Sequence, residues 1–388
     1  MKSLRGMAMI TAVFIMFGLI SIDVLRQEIS AQTKDPLKIG VIVPLTGSAA
    51  SGGKKILMGL EIAEAEINQQ GGILGRPLKL IVEDDESRPE AGMSAVHKLI
   101  DVEKVPIIVG SHGSSVTIPT ATYSNSKGVV QIGVSSTAPA LRKIGPYFFS
   151  TLATDEVMAT DLVKFAMEDT GQKNFSILVM NDSFGVGFGE AMKKSIEAAG
   201  GKILSEVRYE KDKTDFRAEL QRLFAPKPPA ILMVAWFEGA RVIQKQAFEM
   251  GLYQTLKDSW YSPYINIAVE SCIPETVEGR KGTRTVIGKG KRVDDFHAKY
   301  SKKVGDPKAL AEMYTCLGYD SLWVGALGIN MAGGMDSVKI KNALPKAFSQ
   351  FKGMSGDDLS VDQDGIRINQ IYARQVYRNG KLQDYEKK

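Results

Sequence analysis

Two loops between Gly110 and Pro139 carry side chains that are suited to binding a small anion. Each loop follows a short apolar run, at residues 105–109 in the first case and 129–132 in the second. Hydroxyl groups are concentrated in both loops. Their residues are Ser111, Ser114, Ser115, Thr117, Ser135, Ser136 and Thr137.

Hydroxyl groups and backbone amides at strand ends can together hold a carboxylate. In an open α/β sheet, ligands bind in the crevice beyond the carboxyl ends of the strands. The free amides of a helix N-terminus also attract an anion. The alternative is that these serine and threonine residues only cap helices, as they often do. The number of hydroxyl groups at two strand ends favours a polar pocket.

The elements that must position these loops alternate between strands and helices. A helical pattern over residues 56–67 ends at Gly71 and Gly72, which are typical of a helix C-terminus. The alternation predicts an α/β fold with a parallel sheet covered on both faces. The predicted strands are 37–43, 78–82, 105–109 and 129–132, and a second predicted helix is 91–102.

The same alternation begins again after a boundary near residues 150–154, so the chain has two architecturally similar halves. Its strands are predicted over 175–180, 202–209 and 230–234, and its helices over 187–199, 215–224 and 239–250. Helices predicted over 294–304 and 309–331 have no matching strands. The chain therefore returns to a domain begun earlier, before extended segments at 365–377.

The N-terminus has the pattern of a secretory signal peptide. Lys2 and Arg5 precede an apolar run over residues 7–22, and residues 29–31 resemble a small-residue cleavage site. The run is short for a membrane span. We therefore expect an exported protein with cleavage near Ala31, which in a bacterium an enclosed periplasm would retain, and an uncleaved anchor is the alternative. Without a cysteine near this site, the usual lipid attachment is excluded.

The charge pattern argues against a nucleic-acid partner. The formal net charge of +5 comes from scattered lysine and arginine residues. The densest basic stretch, residues 280–292, contains glycine instead of the aromatic residues that stack on bases. We interpret this stretch as a solvated basic loop, with contact to an acidic partner as the alternative.

Neither a metal site nor a cofactor site is predicted. The two cysteines, Cys272 and Cys316, do not form a C-x-x-C pair, and they are either disulfide-bonded or buried thiols. The histidines lack the spacing of metal ligands. The stretch 47–55 departs from a phosphate-binding loop, because Gly53 intervenes before the lysine and Lys55 replaces the hydroxyl residue.

Five segments, in their order and spacing, resemble the branched-chain amino-acid-binding proteins of bacterial ABC importers, over nearly the whole mature chain. They are GVIVPLTG, NQQGGILGRPLKLIVEDDE, IIVGSHGSS, VSSTAPAL and VMNDSFGVGFGEAM. The resemblance implies the type I periplasmic binding protein fold, in which two Rossmann-like lobes are joined by three crossovers and close on a ligand. The expected lobes are 32–153 plus 288–371 and 154–287 plus 372–388, after the signal peptide at 1–31.

The resemblance also implies site residues. Ser114 matches the position whose hydroxyl and amide hold the ligand carboxylate. Ser135 and Thr137, with Ser136 between them, match positions that contact the carboxylate and the ammonium. Phe184 and Trp236 match aromatic positions of the second lobe.

Two positions depart from the leucine-type pattern. Gly52 stands where these binders have a tyrosine, and Tyr264 stands where they have an acid for the ligand ammonium. Asp182 or Glu238 could supply the missing charge, although each is also suited to capping a helix or facing solvent. A pocket widened at Gly52 would accept an aromatic or larger aliphatic carboxylate, whose rings or chains the aromatic residues would contact.

The sequence thus predicts a non-enzymatic, monomeric solute-binding protein that delivers a small carboxylate ligand to an inner-membrane ABC permease without a cofactor. The ligand is either similar to a branched-chain amino acid or an aromatic or aliphatic carboxylate. One alternative is a ligand-sensing module for a receptor. Another is an exported hydrolase that uses Ser114 and His112, although no nucleophile elbow supports it.

Overall fold

The computed structural model describes residues 35–386, apart from residues 211, 236 and 271. The predicted signal peptide and cleavage site lie outside the described residues, and so does the predicted ligand contact Trp236. Within the described part, the strands form two sheets. The α/β class expected from the alternation is confirmed.

The first sheet is parallel and has the strand order β2-β1-β3-β4-β5. Its strands are β1 (Leu37–Val43), β2 (Leu78–Asp84), β3 (Ile107–Gly110), β4 (Val130–Gly133) and β5 (Phe148–Ser150). The intervening helices are α1 (Ala50–Gln69), α2 (Pro89–His97, continued by a π-helical turn at Lys98–Val102) and α3 (Ser114–Ser126), and a 3₁₀ helix follows at Pro139–Lys143.

The second sheet has the order β12-β11-β10-β9-β8-β6-β7, and β11 pairs antiparallel with both of its neighbours, β10 and β12. Its strands are β6 (Phe175–Met180), β7 (Ile203–Tyr209), β8 (Ile231–Val234), β9 (Trp260–Ser262), β10 (Lys281–Thr285), β11 (Tyr372–Arg378) and β12 (Lys381–Asp384). The accompanying helices are α4 (Asp155–Thr170), α5 (Ser183–Ala198), α6 (Arg217–Phe224), α7 (Phe237–Glu249), α8 (Leu252–Thr255), α9 (Ile265–Ala268) and α10 (Pro274–Val277).

Three further helices follow the second sheet in sequence but pack on the first. They are α11 (Lys291–Val304), α12 (Met313–Ala332) and α13 (Ser337–Gln350). Val293, Leu322 and Phe348 of these helices belong to the same buried cluster as Val41 of β1. The expectation that the late helices return to the first domain is confirmed. In the described range the chain thus crosses between the lobes after β5, after β10 and before β11.

The parallel pairing of β3 with β4 brings the two hydroxyl-rich loops together. Ile107 pairs with Val130 and Val109 with Ile132, so both strands end at the same edge of the sheet. The loop after β3 leads directly into α3, and the loop after β4 leads to the 3₁₀ helix. Both loops therefore face the crevice where an α/β sheet binds its ligand.

Candidate ligand-binding site

Ser114 joins the two strand-end loops. It is the first residue of α3 and is 2% exposed. Its Oγ accepts hydrogen bonds from the amides of Thr137 and Ala138, each over 3.2 Å. An acceptor oxygen thus already lies where two amides and a helix N-terminus converge, which is an arrangement that suits a carboxylate oxygen.

Ser135 and Ser136 are buried, and their hydroxyl groups bind groups of the first loop. Ser135 Oγ lies 2.6 Å from His112 Nδ1, and Ser136 Oγ lies 2.5 Å from Thr117 Oγ1. The Ser136 hydroxyl also lies 3.1 Å from the carbonyl of His112. These two side chains fix the two loops of the first lobe to each other.

The hydrolase alternative requires His112 to activate Ser114. The His112 Nδ1 atom instead lies beside the Ser135 hydroxyl, while the Ser114 hydroxyl faces two amides. Burial lowers the pKa of His112 to about 4, so the imidazole is neutral at neutral pH. These contacts position His112 as a structural partner of the second loop.

Thr137 extends the site toward the second lobe. Its carbonyl oxygen accepts a hydrogen bond over 2.8 Å from the amide of Asp155, the first residue of α4, and Asp155 is 1% exposed. The Tyr264 hydroxyl donates to Asp155 Oδ1 over 3.3 Å. Asp155 Oδ2 makes no hydrogen bond to any of the described residues. Burial raises the pKa of the Asp155 carboxyl well above its ordinary value.

Asp155 is the candidate site residue that the sequence analysis missed. It directly follows the predicted boundary at 150–154 and is the first residue of a helix. Acidic residues are common in the first turn of a helix, so the residue type alone does not indicate a binding site. The one sequence feature that could have indicated a site residue is the position of Asp155 immediately after the crossing between the lobes. A residue at a crossing is the one most easily brought to a cleft between two lobes.

Tyr264 and Phe184 reach the site from the second lobe. Tyr264 precedes α9 with a φ of 46°, and its ring centroid lies 6.2 Å from that of Phe184. Phe184 is 2% exposed and also packs against Phe188. Tyr264 contacts the hydrophobic clusters of both lobes. The predicted aromatic pair therefore meets at the interface between the lobes.

Gly52 does not widen the pocket as predicted. A Cβ atom at this position would lie 2.9 Å from His112 Nε2 and 3.2 Å from Phe237 Cζ. Phe237, at the start of α7 in the second lobe, inserts its ring toward His112 and Tyr314 of the first lobe, with ring centroids 6.2 and 6.3 Å apart. The space that a tyrosine would fill is thus occupied by side chains of the protein itself.

Asp182 and Glu238 have other bonding partners. Asp182 caps α5, because its Oδ1 accepts a hydrogen bond from the amide of Gly185 over 2.8 Å. Glu238 accepts one from Arg241 over 2.8 Å, and its side chain is 62% exposed. Asp155 is therefore the buried acid that lies next to Thr137 and Tyr264.

A cleft of about 420 Å³ opens beside these loops, with walls from both lobes. It adjoins the first strand-end loop through Gly113. The residues that border it include Asp85, His112, Ser115, Asp182, Tyr209 and Lys213. The predicted ligand contacts do not border this cleft; they are Ser114, Ser135, Thr137, Phe184 and Tyr264.

An ion pair also bridges the lobes. Lys55 of α1 contacts Glu270, which follows α9 in the second lobe, over 2.7 Å. Lys55 contacts Glu312 of the first lobe over 2.9 Å. Burial lowers the pKa of Lys55, but the hydrogen bonds to both acids outweigh burial and raise it above its ordinary value. The charged ammonium thus connects the two lobes.

The described part of the chain has neither a cluster of metal-ligating side chains nor a membrane-spanning helix. No group of three or more His, Cys, Asp or Glu residues there is arranged to hold a metal ion. None of the described helices combines the length and apolar character needed to cross a bilayer. Cys272 and Cys316 are free thiols, and Cys316 is buried in α12. Of the two states left open for the cysteines, the structure has the unbonded one.

A sequence model of a protein family, described as periplasmic binding protein, matches residues 36–381. A curated relative, the Leu/Ile/Val-binding protein homolog 2 of Brucella abortus, is 27% identical over 348 residues. The aligned region covers 89% of this chain and 91% of the relative. The match therefore spans both lobes.

Two solved structures share the fold. The branched-chain amino acid transporter substrate-binding protein LivJ of Streptococcus pneumoniae, in complex with isoleucine, has a TM-score of 0.79 and 23% identity. That match covers 90% of this chain and 98% of the other. A solute-binding protein of an ABC transporter from R. palustris, in complex with benzoate, has a TM-score of 0.78 and 20% identity, with coverage of 90% and 95%.

Proposed function

Because this chain belongs to the periplasmic binding protein family, we propose that it captures a small carboxylate-bearing solute between its lobes and delivers it to the permease of an ABC importer. One observation carries the proposal: the Ser114 hydroxyl and the amides of Thr137 and Ala138 converge at a helix N-terminus. Isoleucine and benzoate, the ligands of two structural neighbours, both carry a carboxylate. A site that binds a carboxylate can therefore hold either an amino acid or an aromatic acid.

In this proposal the protein is a monomer, has no catalytic activity and uses no cofactor. It is exported by the signal peptide at 1–31, and its lobes comprise 32–153 plus 288–371 and 154–287 plus 372–388. The ligand contacts are Ser114, Ser135 and Thr137 in the first lobe, supported by Ser136. Phe184, Trp236 and Tyr264 contribute from the second lobe. Gly52 borders the site by making room for His112 and Phe237.

Closure of the lobes follows from the positions of these groups. The carboxylate-binding loops belong to the first lobe, whereas Tyr264 and Phe184 belong to the second. A ligand touching both sets stabilises the closed arrangement, because only that arrangement provides all the contacts. The permease then receives a protein whose shape reports that a ligand is bound.

Replacing Ser114 by alanine is expected to weaken ligand binding about 10- to 100-fold, because a hydrogen bond to a charged group contributes about 1.5–3 kcal/mol. The ligand is first identified by thermal-shift screening of amino acids and of aromatic and aliphatic acids. Its affinity is then measured by isothermal titration calorimetry.

Ser126→Ala is the matched control, since Ser126 is exposed in the last turn of the same helix. This variant should bind like the wild type. An unchanged affinity of Ser114→Ala would refute the carboxylate site. Recovery of a chemically altered ligand, with turnover abolished by Ser114→Ala, would instead support the hydrolase.

Replacing Glu270 by glutamine should shift the unliganded protein toward the open arrangement. The Lys55–Glu270 pair is partly exposed, so it contributes on the order of 1 kcal/mol, or about fivefold in the ratio of closed to open molecules. The increase in radius of gyration is measured by small-angle X-ray scattering without ligand.

Glu312→Gln is the control for this experiment. Glu312 contacts the same Lys55 ammonium but lies in the same lobe, so its loss should not change the distance between lobes. If both variants scatter alike, the ion pair with Glu270 does not hold the lobes together.

A further inference from the structure

The three crossings between the lobes meet at one buried arginine. Arg367 lies in the third crossing, just before β11, and is 2% exposed. Its Nη1 donates to the carbonyl oxygen of Thr151 in the first crossing over 3.2 Å. Together with Gly288 of the second crossing, Arg367 borders a cavity. Segments of this kind change their backbone angles when two lobes rotate about a hinge.

This cavity has a volume of about 570 Å³ and lies between the second and third crossings. Small-molecule sites have volumes of roughly 300–1,000 Å³, so the space suits a small ligand. Its walls consist of residues 286–289 of the second crossing, residues 367 and 369–371 of the third, and residues 355–358. None of the proposed cleft contacts borders it, so it is separate from the cleft site.

Two buried polar atoms of the cavity walls lack hydrogen-bond partners within the described chain. They are the donor Nε of Arg367 and the acceptor Oε1 of Gln370. Leaving a buried donor or acceptor unpaired is costly. A molecule that carries both an acceptor and a donor can satisfy the two atoms at once.

The positive charge of Arg367 favours an anion as that acceptor. Its Nη1 and Nη2 donate to the carbonyl oxygens of Thr151, Ser355 and Asp358 and to the Ser355 hydroxyl. None of these acceptors is a carboxylate. Burial lowers the pKa of Arg367, and the opposing effects of Asp320 and Asp358 do not restore it. A ligand anion would stabilise this buried cation.

The other charged groups of the cavity also favour an anion. Lys289 is exposed and adds a second positive charge. Both lining acids already accept hydrogen bonds from neighbouring side chains. Asp357 Oδ1 accepts one from Arg292 over 2.7 Å, and Asp358 Oδ2 accepts one from Asn369 over 2.8 Å. These acids are therefore less available to a ligand cation than Lys289 is to a ligand anion.

The cavity also has an apolar wall. Ile371, in the third crossing, is 67% exposed. Val286 and Ile287 line the cavity from the second crossing. A ligand with an apolar body would remove part of this surface from water.

We propose that this cavity, the hinge site, binds a small hydroxy acid with an apolar body, and that its occupant stabilises the closed arrangement of the lobes. The carboxylate pairs with Arg367 Nε and Lys289, the hydroxyl donates to Gln370 Oε1, and the body contacts Ile371. A ligand that touches both the second and the third crossing holds them at their present separation, and so selects the present arrangement. The inference goes beyond the proposed function, because it requires no ligand in the cleft.

The test uses pairs of acids that differ only in the hydroxyl group: 2-hydroxy-4-methylpentanoate with 4-methylpentanoate, and mandelate with phenylacetate. Binding is measured by isothermal titration calorimetry in Ser114→Ala, in which the proposed cleft site is weakened. We expect at least one hydroxy acid to bind about threefold or more tighter than its partner. Small-angle X-ray scattering of the same protein should show a smaller radius of gyration when that acid is added.

Two variants made in Ser114→Ala locate the bound acid without altering Arg367, whose loss would leave several buried oxygen atoms unpaired. Gln370→Leu should remove the preference for the hydroxy acid, and it breaks only a contact of 3.5 Å to the carbonyl of Ile371. Lys289→Met should weaken both members of a pair about two- to fivefold. Lys291→Met is the matched control, because Lys291 is exposed and pairs with Asp295 outside the cavity.

If none of the four acids binds to Ser114→Ala, or if Gln370→Leu and Lys289→Met bind them unchanged, the inference is wrong. Binding without a decrease in the radius of gyration would overturn the effect on the lobes. The proposed function is tested separately, by the loss of cleft-ligand affinity in Ser114→Ala alone. Either proposal can therefore fail while the other holds.

Discussion

Replacing Gly318 by alanine should lower the free energy of unfolding by about 2–3 kcal/mol, because the added methyl group has no space between α1 and α12. Its Cβ atom would lie 2.2 Å from the carbonyl oxygen of Ile56. Gly59, on the opposite helix, would place a Cβ atom 2.0 Å from the carbonyl oxygen of Thr315. The two helices therefore meet backbone to backbone through paired glycines.

The steric origin of this effect can be separated from helix propensity. Alanine is favoured over glycine inside a helix by roughly 0.5–1 kcal/mol, so propensity alone predicts that Gly318→Ala stabilises the protein. Both contacts involve backbone atoms, which cannot move aside as a flexible side chain does. The free energy of unfolding is measured by urea denaturation of the ligand-free protein.

Gly334→Ala is the control for Gly318→Ala. No atom lies within 4 Å of a Cβ built at Gly334, which follows the C-terminal end of α12. The free energy of unfolding of Gly334→Ala should differ from that of the wild type by no more than about 0.5 kcal/mol. A Gly318→Ala protein as stable as the wild type would show that α1 and α12 can separate at no cost.

Acidification from pH 7 to about pH 5 should remove about 2 kcal/mol of stability from the ligand-free protein through His112, relative to a variant without this imidazole. Burial lowers the pKa of His112 from its ordinary 6.5 to about 4 in the folded protein. Between these pH values the unfolded chain binds a proton that the folded chain does not. The contribution of His112 to stability therefore falls as the pH decreases through this window, and its loss is complete below about pH 4.

The His112 contribution is isolated by comparing the wild type with His112→Gln. Glutamine retains polar atoms next to Ser135 but does not titrate, so the variant should lose about 2 kcal/mol less than the wild type over the same pH range. Thermal unfolding curves at several pH values provide the comparison. Parallel pH profiles for the two proteins would mean that His112 has the same pKa in the folded and the unfolded state.

The individual strands and helices were best predicted where local pattern decides them. The apolar runs at Leu37–Val43 and Phe175–Met180 are strands with the predicted bounds. The interpretation of residues 280–292 as a solvated loop was wrong for strand β10 (Lys281–Thr285), whose sequence KGTRT has no apolar alternation. It is buried by antiparallel pairing with β11, whose residues lie far along the chain. Pairing over such a separation leaves no local signal.

The helix at Asp155–Thr170 was missed for a related reason. The sequence indicates a boundary at residues 150–154 and predicts no element for the residues that follow. Met158, Leu162 and Phe165 form a buried face there only because they pack against the second sheet. Their burial depends on an element that begins after the crossing between the lobes.

The sequence by itself determined the α/β class, the two similar halves and the two hydroxyl-rich strand ends that hold Ser114, Ser135 and Thr137. These features depend on local periodicity and on the rule that parallel strands end at a common edge. The tertiary structure decided that Phe237 fills the space at Gly52 and that Asp155 lies against Thr137 and Tyr264. The Gly52–Phe237 and Thr137–Asp155 contacts join residues from different lobes, and the Asp155–Tyr264 contact joins residues 109 positions apart. Local sequence pattern does not determine such contacts.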